Sequence, residues 1–324
     1  MAWRIGLLGA SRIAPPAVIA PAAKNPDFEV SVVAARDVGR ARAYAAEHAI
    51  AGVAADYAEL VRRDDVDVVY NALPPAGHAE WTIAALEAGK AVLCEKPFAM
   101  HAGEAKAMTD AAARTGNLLL EAFHYRFHRV MRDAEALVRG GALGALSRGS
   151  ADFRVNINRT PDELRWRAEL GGGGLMDLGC YPIHALRTLI GAEPTVTNAR
   201  GQFEGRVDTD IAAELAFPGG VTAAMACAMV APEGFSARLA LEGERGSLEI
   251  LNFLAPQMGC RFTTTIDGQA ERRPTDGPST YEAQLIHLAE VLRGWTKPLT
   301  GGADAVANMT VIDAVYAAAG RPRA

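Results

Sequence analysis

Lys96 follows the short apolar run Ala91-Val92-Leu93-Cys94 after one residue, Glu95, and is itself followed directly by Pro97. Led in by Gly89-Lys90, that run fits a strand buried on both faces of a parallel sheet. Proline cannot continue such a strand. It biases Lys96 toward extended backbone, and Lys-Pro is a peptide bond at which the cis form is affordable. The chain therefore turns at Lys96 and leaves an ammonium at the carboxyl edge of the sheet, where open α/β folds bind ligands. An amine there is placed to handle protons; the competing reading is a solvated loop lysine. A second group follows the glycines at 171–174. If a helix begins near Asp177, then Asp177, Tyr181 and His184 fall at i, i+4 and i+7 on one face, with Leu178, Leu186 and Leu189 largely on another. A carboxylate, a phenol and an imidazole projecting together make an active-site wall; an amphipathic helix with a hydrated polar face is the alternative.

The first apolar run leads into Gly9-Ala10-Ser11-Arg12-Ile13-Ala14, a glycine fingerprint with Ser11 where the second glycine usually stands. The first glycine permits a tight turn, and the last small residue lets helix and strand pack closely. A diphosphate can then rest on backbone N–H groups at the helix N-terminus. Ser11 still allows close approach and adds a hydroxyl. The second strand ends in Ala35-Arg36, where an acidic residue would bind the ribose hydroxyl of NAD. A guanidinium in place of that carboxylate favours a 2'-phosphate. The reading is NADP, with NAD possible, through Arg36 and secondarily Arg40; Asp37 leaves open a surface Arg-Asp pair. Asn71 ends the next main strand and His78 opens the following helix, and both are candidates for the dinucleotide groove. His124 and His128 have i, i+4 spacing but no third ligand, so they line a cleft and hold no metal.

These residues need elements to position them. Up to residue 121 short apolar runs alternate with alanine-rich helical segments. Strands are expected at residues 4–9, 29–35, 66–72, 90–94 and 117–121, and helices at 38–48, 78–88 and 102–115. That alternation predicts a doubly wound parallel sheet in a dinucleotide-binding domain at 1–121. The remainder, 122–324, reads as a substrate-binding α+β domain with a large, mainly antiparallel open sheet. Its strands are expected at 148–157, 196–203, 211–217, 221–229, 236–241 and 247–251, with a turn at Pro218-Gly219-Gly220. Tyr281, Leu285, Leu288, Leu292 and Trp295, then Val306, Met309, Ile312 and Tyr316, recur at helical spacing as core-facing stripes. The C-terminal helix is expected to pack back on the first domain.

At 324 residues, with 22% charged side chains and a formal net charge of −5, the chain suits a soluble two-domain protein and lacks the basic field of a nucleic-acid binder. No run approaches the roughly 20 apolar residues of a membrane span. Met1-Ala2-Trp3-Arg4 leads straight into a strand with no signal-peptide pattern. Cys94, Cys180, Cys227 and Cys260 are widely spaced, which fits reduced thiols in a cytoplasmic protein.

Together, the Gly9–Ala14 loop, Ala88-Gly89-Lys90-Ala91-Val92-Leu93-Cys94-Glu95-Lys96-Pro97 and Gly172-Gly173-Gly174-Leu175-Met176-Asp177-Leu178-Gly179-Cys180-Tyr181 resemble the glucose-fructose oxidoreductase/inositol dehydrogenase (Gfo/Idh/MocA) family over essentially the whole chain. The run Val33-Ala34-Ala35-Arg36-Asp37 and Tyr181 look closest to the dimeric dihydrodiol dehydrogenase branch; inositol dehydrogenases carry histidine where this chain has Tyr181. The resemblance implies a Rossmann domain, a C-terminal domain whose open sheet makes a dimer or tetramer interface, and hydride transfer between a nicotinamide and a carbinol or carbonyl carbon of a sugar, cyclitol or diol. It makes Lys96 the catalytic lysine and Tyr181 its companion, with Asp177 orienting Lys96 and His184 holding a substrate hydroxyl or joining a proton relay. Gly9, Ser11, Arg12, Ile13, Arg36, Asn71, His78, Glu95 and Lys96 are assigned to the cofactor. Free lysine and tyrosine titrate near 10, so a base at neutral pH needs burial or neighbouring charge to shift it. Substrate contacts are expected from Arg126, Arg154, Asn156 or Arg165. Two other readings share these motifs: glycoside cleavage with tightly held NAD as a transient redox agent, and a non-catalytic dinucleotide sensor.

Overall fold

The computed structural model describes residues 2–160 and 162–321. The chain divides into two compact units, Met1–His124 with Tyr281–Val306, and Tyr125–Thr280 with Ala307–Ala324. Residues 281–306 thus belong with the first unit although 156 residues of the second precede them in the chain.

The first unit is built on β1 (Trp3–Leu8), β2 (Phe28–Ala34), β3 (Gly52–Val53), β4 (Val68–Asn71), β5 (Ala91–Cys94) and β6 (Leu119–Glu121). All pair in parallel in the order β3-β2-β1-β4-β5-β6, the doubly wound arrangement whose switch point lies between β1 and β4. A wide π-helical turn at Pro15–Ile19 continues into α1 (Ala20–Lys24). Then follow α2 (Val38–Glu47), α3 (Tyr57–Arg62), α4 (His78–Glu87) and α5 (Ala102–Thr115). Side chains open three of them: Asp37, Asp56 and His101 accept from the backbone N–H groups of Arg40, Glu59 and Glu104. The two-residue β3 and the six-residue α3 carry too little periodicity to be read from sequence. Ile5, Leu7, Val33, Val68, Tyr70, Leu93 and Leu120 form the core, and Leu285, Leu288 and Ala289 complete it.

In the second unit α6 (Arg129–Arg139) and α7 (Cys180–Ile190) accompany a sheet of β7 (Leu146–Arg154), β8 (Thr195–Glu204), β9 (Val207–Ala216), β10 (Thr222–Ala228), β11 (Ser236–Gly243), β12 (Gly246–Leu251), β13 (Arg261–Ile266) and β14 (Gln269–Arg273). The order is β14-β13-β12-β11-β7-β10-β9-β8, antiparallel except where β10 lies parallel to β7. Helix α7 packs on β7, β10 and β11. The last hairpin was missed in the sequence: its run of threonines hides an alternation in which only Phe262 and Thr264 are fully buried. Asp267-Gly268, both at positive φ, is the turn signal that could have shown it. Helices α8 (Thr280–Leu292) and α9 (Ala303–Ala318) end the described chain. The expected class therefore holds, a parallel Rossmann sheet followed by a large, mainly antiparallel one.

Candidate active site

Gly9 leaves β1 with φ of +99°, a left-handed conformation natural to glycine, and a Cβ there would lie 3.3 Å from the Ala72 carbonyl oxygen. The loop it starts is held from behind by α2. Arg40 Nη2 donates to the Ala10 carbonyl (2.9 Å) and the Tyr44 phenol to that of Ser11 (2.8 Å). Burial pushes the Tyr44 phenol up to about 12, so it stays protonated as a donor. Ser11 Oγ accepts from the Ala14 N–H at 3.3 Å, and its own proton remains to be donated. Ile13 is half-buried against the core, whereas Arg12 and Arg36 are exposed. Asp37 does not pair with Arg36: it caps α2 through the Arg40 N–H (2.7 Å). Tyr57 feels the charges of both Arg36 and Arg40, which oppose the upward push of burial on its phenol. A glycine turn at positive φ, tight against the Ala72 carbonyl, with Arg12 and Arg36 beyond the carboxyl ends of β1 and β2, fits a dinucleotide diphosphate and an adenosine phosphate.

Asn71 and His78 are both completely buried. Asn71 Nδ2 donates to the His78 carbonyl (3.2 Å) and to Thr82 Oγ1 (3.1 Å), while its Oδ1 accepts from the Leu73 N–H. The His78 ring bridges two loops, with Nε2 2.8 Å from the Leu73 carbonyl and Nδ1 3.0 and 3.2 Å from those of Pro97 and Phe98. These two side chains tie the turn after β5 to the loop after β4. The Lys96-Pro97 bond within that turn is cis.

Lys96 itself is half-buried. The Glu95 carboxylate accepts from the Tyr70 phenol (2.5 Å) and from the Lys96 backbone N–H (3.2 Å). Its charge adds to burial in raising the phenols of Tyr70 and Tyr281. His124 stacks on Tyr281 with ring centroids 4.2 Å apart. Burial and the Lys96 charge push His124 down to about 3, and His78 is pushed down to about 4 by burial, with Lys96 adding a little. Both imidazoles are therefore neutral near pH 7. In the sequence Tyr281 reads only as part of a core-facing stripe and Tyr70 is not singled out within its strand, because nothing local reveals that a buried strand and a distant helix meet at Glu95.

In the second unit helical backbone begins at Gly174, but its first turn is a π-helical one, Leu175–Gly179, and α7 proper starts at Cys180. The expected α-helix from Asp177 is thus corrected. Pro182 has no N–H for the preceding turn, and the wider turn changes the angular offset between Asp177 and Tyr181. Gly173, at φ +133°, stands where a Cβ would collide with the Asp208 carboxylate. Fully buried Asp208 accepts from the Leu175 N–H (2.6 Å) and the Tyr316 phenol (2.7 Å), locking the glycine-rich entry. Asp177 accepts from Arg165 Nε at 2.6 Å, and Arg165 also reaches Glu163 at 3.0 Å. The Asp177 charge raises the Arg165 guanidinium. Tyr181 and His184 are buried in α7. The Tyr125 phenol lies 2.5 Å from His184 Nδ1 and meets the Tyr181 ring edge-on at 5.7 Å.

Of the other residues considered for substrate contact, Arg126 pairs with Glu135 (2.5 Å) and Asn156 Oδ1 accepts from the Ala231 N–H (2.7 Å). Arg154 ends β7 half-buried. Among the described residues no cluster of three His, Cys, Asp or Glu could hold a metal ion, and no helix is long and apolar enough to cross a membrane. Tyr125, Asp208 and Tyr316 went unnoticed as site residues: Tyr125 lay unmarked between two histidines, and Asp208 has no local motif.

A glycine loop at the carboxyl edge of a doubly wound parallel sheet, followed by a mainly antiparallel domain, defines the class as a two-domain nicotinamide-dependent oxidoreductase. The chain belongs to the Gfo/Idh/MocA oxidoreductase family, whose NAD-binding Rossmann model matches residues 3–123 and whose C-terminal domain model matches 131–249. It is 31% identical over 318 residues to an NADP(+)-dependent D-xylose 1-dehydrogenase of Haloferax volcanii, covering 97% of this chain and 96% of the relative. It is 32% identical over 259 residues to the trans-1,2-dihydrobenzene-1,2-diol dehydrogenase of Mus musculus, covering 79% and 77%. The fold is shared with the aldose-aldose oxidoreductase of Caulobacter crescentus, solved with glycerol, at a TM-score of 0.90 and 29% identity over 99% of this chain and 98% of that one.

Proposed function

We propose that this protein is an NADP-preferring dehydrogenase or reductase that interconverts a carbinol and a carbonyl on a sugar or diol. The observation that carries the reading is Lys96, presented at the carboxyl edge of β5 with both neighbouring histidines held neutral. When bound, the nicotinamide supplies the carbon that exchanges hydride with the substrate. Backbone N–H groups of the Gly9–Ile13 loop hold the diphosphate, with Ser11 and Arg12 beside it, and Arg36 takes the adenosine phosphate. Glu95, Asn71 and His78 set the turn that carries Lys96. Lys96 accepts the hydroxyl proton in oxidation and returns it in reduction, and Tyr181 shares that work. Asp177 orients these groups and His184 meets a substrate oxygen.

The xylose and dihydrodiol relatives favour polyhydroxy substrates. A cytoplasmic homo-oligomer is part of the same reading. Helix α7 covers one face of the second sheet, while the other presents Thr222 and Ala224 in register with Arg148 and Ser150, a surface of small and polar residues that a second copy can cover.

The test is a panel of aldoses, polyols and cyclic trans-diols, D-xylose among them, assayed with NADP and with NAD for the change in cofactor absorbance. Turnover of at least one member, faster with NADP, is expected. Silence across the panel with both cofactors overturns the reading.

A further inference from the structure

We infer that Tyr281 binds the nicotinamide end of the cofactor, its phenol donating a hydrogen bond to the carboxamide oxygen of bound NADP. This rests on the dinucleotide reading of the first unit and not on the identity of the substrate. Two phenols of that unit feel the Glu95 charge, and their surroundings differ. Tyr70 is completely buried in β4 and donates to the Glu95 carboxylate at 2.5 Å. Tyr281 is only partly buried at the start of α8, and its hydroxyl makes no hydrogen bond among the described residues. Burial and the Glu95 charge raise the Tyr281 phenol, so near neutral pH it keeps its proton and has it to donate. The ring is fixed from two sides. Its helix packs on the core of the first sheet through Leu285, Leu288 and Ala289. Its face lies against His124, with ring centroids 4.2 Å and planes 38° apart. His124 lies just beyond β6 and feels the Lys96 charge from the turn after β5. Tyr281 therefore stands by the carboxyl ends of β5 and β6. A dinucleotide spans the switch point of such a sheet, one nucleotide on each half. With Arg36 beyond the end of β2 taking the adenosine phosphate, the β4-β5-β6 half takes the nicotinamide. The carboxamide is that ring's hydrogen-bonding group, and its oxygen is an acceptor suited to a neutral phenol. His124, held neutral, adds no charge to oppose the nicotinamide cation.

The test measures dissociation constants on the full chain by isothermal titration calorimetry, for NADP, for NAD and for 2'-phospho-ADP-ribose, which keeps the adenosine and phosphates of NADP but lacks the nicotinamide. Tyr281→Phe keeps the ring against His124 and removes only the hydroxyl. It is expected to weaken NADP and NAD alike, about three- to tenfold for one lost hydrogen bond, and 2'-phospho-ADP-ribose by less than about twofold. Retained binding of the last ligand also shows that the variant folds. Unchanged NADP affinity overturns the inference, as does an equal loss for all three ligands, which would mark Tyr281 as part of the scaffold. Failure of NADP to bind the unaltered protein overturns it too. A sugar and diol panel without turnover would count against the proposed reaction, while these affinities still decide the role of Tyr281.

Discussion

Burial and the charge of Lys96 together keep imidazolium out of the surroundings of that ammonium. His78 and His124, the imidazoles that feel its charge, stay neutral, and Glu95 lies next to it in the chain. Lys96→Ala is expected to lower kcat by at least about a thousandfold, at the upper range of losses for a proton-transfer residue, with NADP affinity nearly unchanged. Steady-state rates together with fluorescence titration of NADP check this. Arg36→Ala is expected to weaken NADP by tenfold or more and NAD by less than about twofold, since a charge-assisted contact of about 1.5–3 kcal/mol is lost only where a phosphate is present. Equal losses would show that Arg36 does not read the phosphate. The two histidines also carry a pH signature. Their folded values, about 4 and about 3, lie below that of an unfolded histidine, so the unfolded chain binds the extra protons. The stability they contribute is complete above about pH 6.5 and declines as pH falls toward 4, by about 1.4 kcal/mol per unit for each. Thermal unfolding at pH 7 and pH 5 should differ less in His124→Gln than in the unaltered protein.

At the scale of elements, both glycine-rich loops lead into π-helical turns, Pro15–Ile19 after the Gly9–Ala14 loop and Leu175–Gly179, which holds Asp177, ahead of Tyr181 and His184. Such turns are rare and concentrate at functional sites. The second is held from outside by Asp208, which leaves no space for a side chain at Gly173. Gly173→Ala must both strain a φ of +133° and displace the buried carboxylate. It is expected to cost several-fold in kcat and to lower the melting temperature, while Gly191→Ala, with nothing within 4 Å, shows only the backbone cost. Comparing the two variants separates crowding from the effect of glycine replacement. The strand ends, the span of α2 and the Gly9 turn were legible in sequence because local sterics and periodicity dictate them; that Asp37 caps α2 was not read. The offset of Asp177 from Tyr181 was not, because a π turn depends on how the surrounding chain constrains one segment.

At the scale of the molecule, the first unit is assembled from two separated stretches. Leu285, Leu288 and Ala289 of α8 lie in the same core as Ile5, Leu7 and Val33. Burying a large apolar side chain contributes about 1.5–3 kcal/mol, so two leucines amount to a sizeable part of a domain's stability of about 5–15 kcal/mol. A fragment of residues 1–124 is therefore expected to unfold without a cooperative transition. Because His124 stacks on Tyr281, a short linker from 124 to 281 can restore the missing helix, and the 1–124/281–306 fusion should melt cooperatively and bind NADP. Circular dichroism melts of both fragments check this. By itself the sequence determined the strand-helix alternation, the glycine loop after the first strand and the lysine at a strand end, all consequences of forces acting over a few residues. Only the tertiary structure decided that α8 completes the first core, that Asn71 and His78 brace the Lys96 turn from buried positions, and that Asp208 and Tyr125 hold the glycine entry and His184. Each of those contacts joins groups far apart in the chain, and burial and hydrogen-bond satisfaction, which bring them together, leave no periodic trace in sequence.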